Sequence, residues 1–248
     1  MKIRSAGVTH VGRRTNNEDA FCVEPSLGLF VVADGMGGYE GGEIASRLVV
    51  DTVKRFVRSS EGEDNATWPH AIDPRVSSNE NMIRMAIRLA NDEVTRRKTG
   101  VLESMGSTVA MVFTSGGESW VANVGDSRVY RLRAGQLMQC SQDHSLYAEM
   151  RAMNMAVGTR EEFPYSNVIT RAIGMRGHAE PFVAVEPMRE GDTFLICSDG
   201  LYEALDDESI AQLMSAESLD DAAQTLVEEA FTRGGRDNIT AVVLRAVR

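Results

Sequence analysis

Cysteine and histidine are scarce in this chain of 248 residues. The three cysteines, Cys22, Cys140 and Cys197, are far apart and form no Cys-x-x-Cys pair, which argues against a disulfide framework and a structural zinc site. The four histidines are also scattered and form no His-Glu-x-x-His pattern. A metal site in this protein must therefore rely on oxygen ligands, which favour Mg²⁺ or Mn²⁺ over zinc or copper.

Long apolar runs and an excess of positive charge are missing as well. The longest uncharged stretch, residues 104–117, is too short to span a bilayer as a helix, and the first residues contain no apolar core of a signal peptide. Acidic residues outnumber basic ones by 36 to 26, and the formal charge is −10, so a polyanion would be repelled on average. We therefore expect a cytoplasmic protein without membrane insertion and without a nucleic-acid partner.

Groups of short β-type runs and groups of amphipathic helices predict an α+β fold, with helices packed on antiparallel sheets. Helical spacing of apolar residues appears within 42–58, 83–94 and 219–230. The β-type runs are apolar on nearly every residue, as in strands covered on both faces, and lie at 29–33, 107–114, 119–132, 193–197 and 238–247. Long loops are expected at 59–81 and 158–181, and the whole chain, residues 1–248, is expected to be one domain.

Two of the apolar runs end in the same way, with an aspartate followed by a glycine. They are "FVVADG" (30–35) and "FLICSDG" (194–200). A single Asp-Gly is usually a hairpin turn, but two at the ends of core strands suggest a shared purpose. Carboxylates beside a core need a partner or a metal ion.

Acids at other strand ends extend this pattern. "NNED" (16–19) precedes one run, "VGDSR" (124–128) interrupts another, and "GRDNIT" (235–240) opens the last. Several converging carboxylates suggest two Mg²⁺ or Mn²⁺ ions and phosphate-ester hydrolysis. Calcium competes with this hypothesis, but no Asp-x-Asp-x-Asp-Gly loop occurs. A nucleotide-binding loop is a further alternative for the glycine-rich stretch "DGMGGYEGGE" (34–43). This stretch matches neither the G-x-x-x-x-G-K-[S/T] motif nor the G-x-G-x-x-G motif.

Taken in chain order, eight stretches resemble the metal-dependent Ser/Thr protein phosphatases of the type 2C (PPM) family, in a compact bacterial form. The stretches are "RTNNED" (14–19), "ADGMGG" (33–38), "GSTVAMV" (106–112), "ANVGDSRVYRLRAG" (122–135), "QDHS" (142–145), "NVITRAIG" (167–174), "FLICSDGLYEAL" (194–205) and "GGRDNIT" (234–240). The resemblance implies a central antiparallel β-sandwich flanked by helices on both sides, in four layers (αββα), with a metal cluster at one end of the sheets. It also implies a flap region at about 144–181.

The resemblance assigns a role to each site residue. Asp34 would bridge two metal ions, Gly35 would offer its carbonyl, and Arg14 would bind the substrate phosphate. Asp199 and Asp237 would bind the first ion, and Glu18 would bind the second, directly or through water. Asp19 would hold metal-bound water, and Asp126 would bind a third ion. Asp34, Asp199, Asp237 and Arg14 are thus the expected catalytic residues.

The implied reaction is hydrolysis of phosphoserine and phosphothreonine monoesters on proteins, by water that two Mn²⁺ or Mg²⁺ ions activate. The implied partners are phosphorylated proteins, among them a cognate Ser/Thr kinase and its targets, and the expected state is a monomer. None of the three cysteines is part of a Cys-x₅-Arg motif. A cysteine nucleophile of that phosphatase type is therefore excluded. Met36 stands where some relatives have a histidine proposed as the general acid. The alternative is a degenerate fold that binds phosphoproteins without hydrolysis.

Overall fold

The structure, a computed structural model, describes residues 1–37, 41–60, 68–160, 162–175 and 179–248. Gly38, at the end of the "ADGMGG" stretch, and four positions of the flap region, 161 and 176–178, therefore lie outside the described residues. The strands are β1 (Lys2–His10), β2 (Asp19–Glu24), β3 (Leu29–Met36), β4 (Gly106–Ser107), β5 (Val109–Ser115), β6 (Glu118–Val124), β7 (Arg128–Arg133), β8 (Gln136–Gln139), β9 (Phe182–Pro187), β10 (Thr193–Cys197) and β11 (Ile239–Val247). The helices are α1 (Gly41–Ser59), α2 (Ser78–Arg97), α3 (Leu146–Ala152), α4 (Asp199–Tyr202), α5 (Asp207–Met214) and α6 (Leu219–Thr232).

The strands form two antiparallel sheets. Sheet A has the order β1-β11-β10-β7-β8, and sheet B has the order β2-β3-β5-β6-β9 with β4 paired to β3. The hairpin β5–β6 turns at Gly116 and Gly117, which both have positive φ, and β7–β8 turns at Ala134 and Gly135 in the same way. The predicted antiparallel class is confirmed.

Three apolar clusters hold the layers together. One, containing Phe30 and Phe194, fills the space between the sheets. A second lies between sheet B and α1–α2, where Val49 and Val53 repeat at helical spacing, and a third, around Leu226, lies between sheet A and α4–α6. The order of layers is therefore helix, sheet, sheet, helix, which confirms the four-layer αββα architecture. Because helices cover both outer faces, strands such as β10 are buried along their whole length.

One predicted β-type run contains two strands. Residues 119–132 form β6 in sheet B and β7 in sheet A. The chain passes between the sheets at 125–127, where Gly125 adopts a φ of +101°, a conformation that glycine tolerates best. The "VGDSR" stretch (124–128), which interrupts the apolar run in the sequence, marks this change of sheet.

The predicted loop 59–81 is also too long, because α2 begins at Ser78. Ser77 caps this helix, since its side chain accepts a hydrogen bond from the Glu80 amide. Helix α6 is capped in the same way, with the Ser218 hydroxyl accepting from the Asp221 amide. Within the described ranges, no helix combines the length and apolarity needed to cross a bilayer.

Candidate metal centre and active site

The candidate site lies where the ends of both sheets meet. Asp19 and Asp34 face each other as register partners in β2 and β3 of sheet B. In sheet A, Asp199 follows β10 after one residue, and Asp237 precedes β11 by one residue. Asp126 lies in the turn where the chain crosses from β6 to β7. Antiparallel pairing of β10 with β11 brings the end of one strand beside the start of the other, which explains the gathering of these acids.

Asp19 is a buried carboxylate that is only half satisfied. Its Oδ2 accepts hydrogen bonds from the Ser198 hydroxyl at 2.7 Å and the Thr240 hydroxyl at 2.6 Å. Its Oδ1 is buried without a hydrogen-bond partner in the described part of the chain. Burial raises the pKa of Asp19 to about 6, despite the two hydroxyl donors that act against the rise. The free oxygen is suited to a water or cation at the site.

Asp34 and Asp199 repel the carboxylates around them. Burial raises the pKa of Asp34 well above its ordinary value, and the charges of Asp19 and Asp199 raise it further. The pKa of Asp199 is raised well above its usual value by burial and then by Asp126. Its Oδ1 is a second buried carboxylate oxygen without a partner among the described residues. A cluster of this kind is stable in its ionised form only with a compensating positive charge.

Glu18 and Gly35 pack closely against Gly42 at the start of α1. A Cβ atom on Gly35 would lie 2.0 Å from the Gly42 carbonyl oxygen, and one on Gly42 would lie 2.6 Å from the Glu18 carboxyl carbon. Only glycines allow this close packing. The Glu18 carboxylate accepts from the Gly42 amide, while burial raises the pKa of Glu18. The Gly35 amide also donates to the Glu18 carbonyl at 3.1 Å, so the backbone of Gly35 lies beside Glu18 as well as beside its chain neighbour Asp34.

Arg14 is the cation nearest to the acids. Its NH2 group donates to Asp237 Oδ2 at 2.6 Å, in an ion pair that is largely exposed on the arginine side. This hydrogen bond, with the charge of Asp237, raises the pKa of Arg14. The side chain of Arg14 is 59% exposed, so it can leave Asp237 at a small energetic cost.

Asp126 lies 3% exposed at the junction of the two sheets. Burial raises its pKa to about 6. Arg160, from the flap region, brings its NH2 group to 4.0 Å from Asp126 Oδ2 and binds Glu203 at 3.0 Å. The Tyr202 hydroxyl donates to the Asp126 carbonyl. The candidate third-ion ligand is therefore adjacent to the flap.

Asp143 and His144 support the turn that carries Asp126. Asp143 accepts a two-pronged ion pair from Arg128. The His144 ring accepts from the Gly125 amide at 3.2 Å, and burial lowers the pKa of His144 to about 4. A neutral His144 is thus a structural acceptor at physiological pH.

Sequence reasoning missed the residue that ties the site together, Asn238. It is 4% exposed, and its Oδ1 accepts from the Glu18 amide at 2.7 Å. Its Nδ2 donates to the carbonyls of Val11 and Asn16, each at 2.9 Å. The sequence signal was present, since Asn238 follows Asp237 directly in "GRDNIT", but only the acid was assigned. Of the hydroxyl donors to Asp19, Ser198 directly precedes Asp199, and Thr240 ends the same "GRDNIT" stretch.

Replacing Asn238 by alanine is expected to lower the free energy of unfolding by about 2 kcal/mol, because the Glu18 amide and two carbonyls lose their partner. The measurement is urea unfolding in EDTA, so that metal binding does not contribute. Asn79→Ala is the control and should change stability little, because the half-exposed Asn79 side chain, on the first turn of α2, forms no hydrogen bond with any described residue. A loss equal to that of the control would show that these hydrogen bonds are dispensable.

The donor set fits a divalent cation, although it is not pre-arranged for one. Among the described residues, no three acidic, histidine or cysteine side chains are placed closely enough to hold an ion as they stand. Mutual repulsion and the Arg14–Asp237 pair account for this spread. The two unpartnered carboxylate oxygens, of Asp19 and Asp199, and the all-oxygen chemistry fit Mg²⁺ or Mn²⁺.

Comparison with known proteins gives consistent matches. The sequence model of the family described as protein phosphatase 2C matches residues 6–233. The serine/threonine protein phosphatase PstP of Mycobacterium tuberculosis is 32% identical over 238 residues, which cover 94% of this chain. The chain spans only 43% of that relative's length.

Solved structures agree with this match over nearly the whole chain. One, described as PppA, a key regulatory component of T6SS in Pseudomonas aeruginosa, has a TM-score of 0.82 and 35% identity, covering 99% of this chain and 98% of the other. Another, the catalytic domain of PstP in complex with two manganese ions, has a TM-score of 0.81 and 29% identity, covering 99% of both chains.

Proposed function

The chain belongs to the protein phosphatase 2C family, and on that premise we propose that it hydrolyses phosphoserine and phosphothreonine monoesters on proteins with the help of divalent metal ions. The family depends on such ions, and one similar structure contains two manganese ions. The observation that carries the proposal is the cluster of Asp19, Asp34 and Asp199, with two buried carboxylate oxygens that lack partners among the described residues.

We propose that Asp34, Asp199 and Asp237, with the Gly35 carbonyl and Glu18, hold two Mn²⁺ or Mg²⁺ ions. When bound, such ions lower the pKa of a water molecule and offset negative charge on phosphoryl oxygens. The proposal places Asp19 behind them, where its free Oδ1 would accept from coordinated water while Ser198 and Thr240 fix its Oδ2. Asp126 is the proposed ligand of a third ion.

Arg14 is the proposed phosphate-binding residue. Its guanidinium is exposed and reaches Asp237, so it can turn from that carboxylate to a phosphoryl group that enters beside it. A guanidinium suits a phosphate because two N–H groups can donate in parallel. By stabilising charge on the phosphoryl oxygens, Arg14 would contribute to the transition state as well as to binding.

The proposal includes further predictions that no observation here tests. The chain is one catalytic domain, residues 1–248, and the flap region at about 144–181 lies beside the cleft. Its substrates include a cognate Ser/Thr kinase and the targets of that kinase. The cytoplasmic location and the monomeric state stay predictions as well.

The test is hydrolysis of p-nitrophenyl phosphate and a phosphothreonine peptide by the purified chain, with Mn²⁺, with Mg²⁺ and with EDTA. We expect turnover with a metal ion and none with EDTA. A folded chain that binds Mn²⁺ and phosphopeptide without turnover would overturn the enzymatic proposal and favour the alternative, a phosphoprotein-binding module.

A further inference from the structure

A cleft of about 470 Å³ opens directly beside the candidate site. Its lining includes Arg14, Asp237 and Asn167 of the flap region. The other walls come from α4 and from the turn between α6 and β11, which contributes Arg233 and Arg236. A substrate whose phosphate lies against Arg14 would therefore extend its flanking residues into this cleft.

The charges in the cleft favour an anion. Three arginines line it against two acids, in a chain whose formal charge is −10. Both acids are already engaged, Glu203 by Arg160 and Asp237 by Arg14. Of the arginines, Arg14 is therefore paired with Asp237, and Arg233 is paired with Glu229. Arg236 forms no hydrogen bond or ion pair with any described residue. Its positive charge is therefore available to a group that enters the cleft.

The backbone around Arg236 is held firmly. The Gly235 amide donates to the Ala230 carbonyl at 2.9 Å, and a Cβ atom on Gly235 would lie 2.8 Å from that oxygen. On the other side, the Asp237 carboxylate accepts from the Asn238 amide at 2.8 Å. Arg236 thus projects an exposed side chain from a fixed position next to a candidate metal ligand. A guanidinium without a partner among the described residues, carried by a well-held backbone, is a suitable recognition element for carboxylate or phosphate.

We propose that Arg236 is a specificity-determining residue, which recognises a second anionic group on the substrate a few residues from the phosphorylated serine or threonine. The inference rests on the proposed phosphatase function and narrows its substrate class to acidic or multiply phosphorylated segments. The recognised group is a carboxylate or a second phosphate, which share the geometry that a guanidinium binds.

The experiment measures kcat and KM for three phosphothreonine peptides that differ at positions two to four residues from the phosphorylated residue. One peptide carries glutamates there, one glutamines and one a second phosphothreonine. We expect kcat/KM to favour the glutamate over the glutamine peptide by about three- to fivefold, the scale of one exposed ion pair. The difference should lie in KM and shrink in 0.5 M salt because exposed charges are screened.

Variants of Arg236 separate this contact from the general field of the protein. The quantity compared is the ratio of kcat/KM for the glutamate peptide to that for the glutamine peptide. Arg236→Gln should bring this ratio close to one, Arg236→Lys should keep part of the preference, and Arg236→Glu should invert it. Arg13→Gln is the matched control, because Arg13 is exposed near Arg14 but does not line the cleft. It removes the same charge and should leave the ratio unchanged.

Each outcome has a defined meaning. A larger preference for the doubly phosphorylated peptide than for the glutamate peptide identifies phosphate as the group recognised, and equal preferences identify a carboxylate as sufficient. A wild-type chain that hydrolyses all three peptides equally, or a ratio that falls equally in Arg13→Gln, overturns the inference while the phosphatase proposal stands. No turnover of any substrate overturns the phosphatase proposal and this inference with it.

Discussion

Replacing Asp199 by asparagine is expected to lower Mn²⁺-dependent kcat/KM for a phosphothreonine peptide by about a thousandfold, because metal ions contribute several kcal/mol to such reactions. Asp199 lies in the middle of the acidic cluster, and its Oδ1 is buried without a partner in the described ranges. An amide keeps the size of the side chain but is a poor ligand for a cation. Steady-state kinetics at several Mn²⁺ concentrations measure the loss and show whether excess metal restores activity.

The same substitution is expected to affect stability in the opposite direction when no metal is present. The raised pKa of Asp199 means that its ionised form is unfavourable in the folded chain. In EDTA at neutral pH, Asp199→Asn should therefore melt at a higher temperature than wild type. Mn²⁺ at a hundred times its dissociation constant should stabilise wild type by about 2.7 kcal/mol and the variant much less.

The pH dependence in EDTA follows from the same cause. Because the pKa values of Asp34 and Asp199 are raised in the folded chain, the folded state keeps protons that the unfolded state releases above pH of about 4. The free energy of unfolding of the metal-free chain should thus decrease as the pH rises from there. For Asp199→Asn this decrease should be smaller.

Asp51→Asn is the control for these measurements, since Asp51 is exposed on α1, away from the site. It removes one negative charge but should change neither turnover nor the response to Mn²⁺. Full turnover in Asp199→Asn would show that Asp199 does not hold the metal. Equal stabilisation of wild type and Asp199→Asn by Mn²⁺ would show the same.

The sequence indicates which acids lie at the strand ends better than it indicates which residues hold them in place. Asp34 and Asp199 stand out because a carboxylate and a glycine end an apolar run, which is a local signal. Asn238 and Thr240 act through contacts with Glu18 and Asp19, more than 200 positions away in the chain. Such partners can be identified only after β11 is known to lie beside the start of β2.

The helices and strands could be predicted where the spacing of apolar residues is regular. The prediction was incomplete where that spacing is ambiguous. The buried faces of α1, α2 and α6 repeat clearly, and the helices were found. β1 was missed because it is an edge strand with mostly half-exposed residues. In the run 119–132 the sequence shows an interruption at "VGDSR", but periodicity does not record that the chain changes sheets there.

Arg14 provides the second large effect: its substitution should lower turnover, as for a metal ligand, but should change metal binding in the opposite direction. Arg14→Gln is expected to lower kcat/KM by about a hundredfold, the scale on which a lost donor to a developing charge acts. Arg14→Lys should lose less, because it keeps the charge but not the paired donors.

Mn²⁺ binding should respond to Arg14→Gln in the opposite way to turnover. Arg14 donates to Asp237 at 2.6 Å, and Asp237 is also a proposed ligand, so the guanidinium and the metal compete for one carboxylate. Removing the arginine should therefore strengthen Mn²⁺ binding, by up to about fivefold for an exposed ion pair, as calorimetry would measure. Arg13→Gln should change neither quantity. Weaker binding together with lower turnover would instead assign Arg14 to the organisation of the metal centre, because a residue that only binds phosphate does not help to hold the ions.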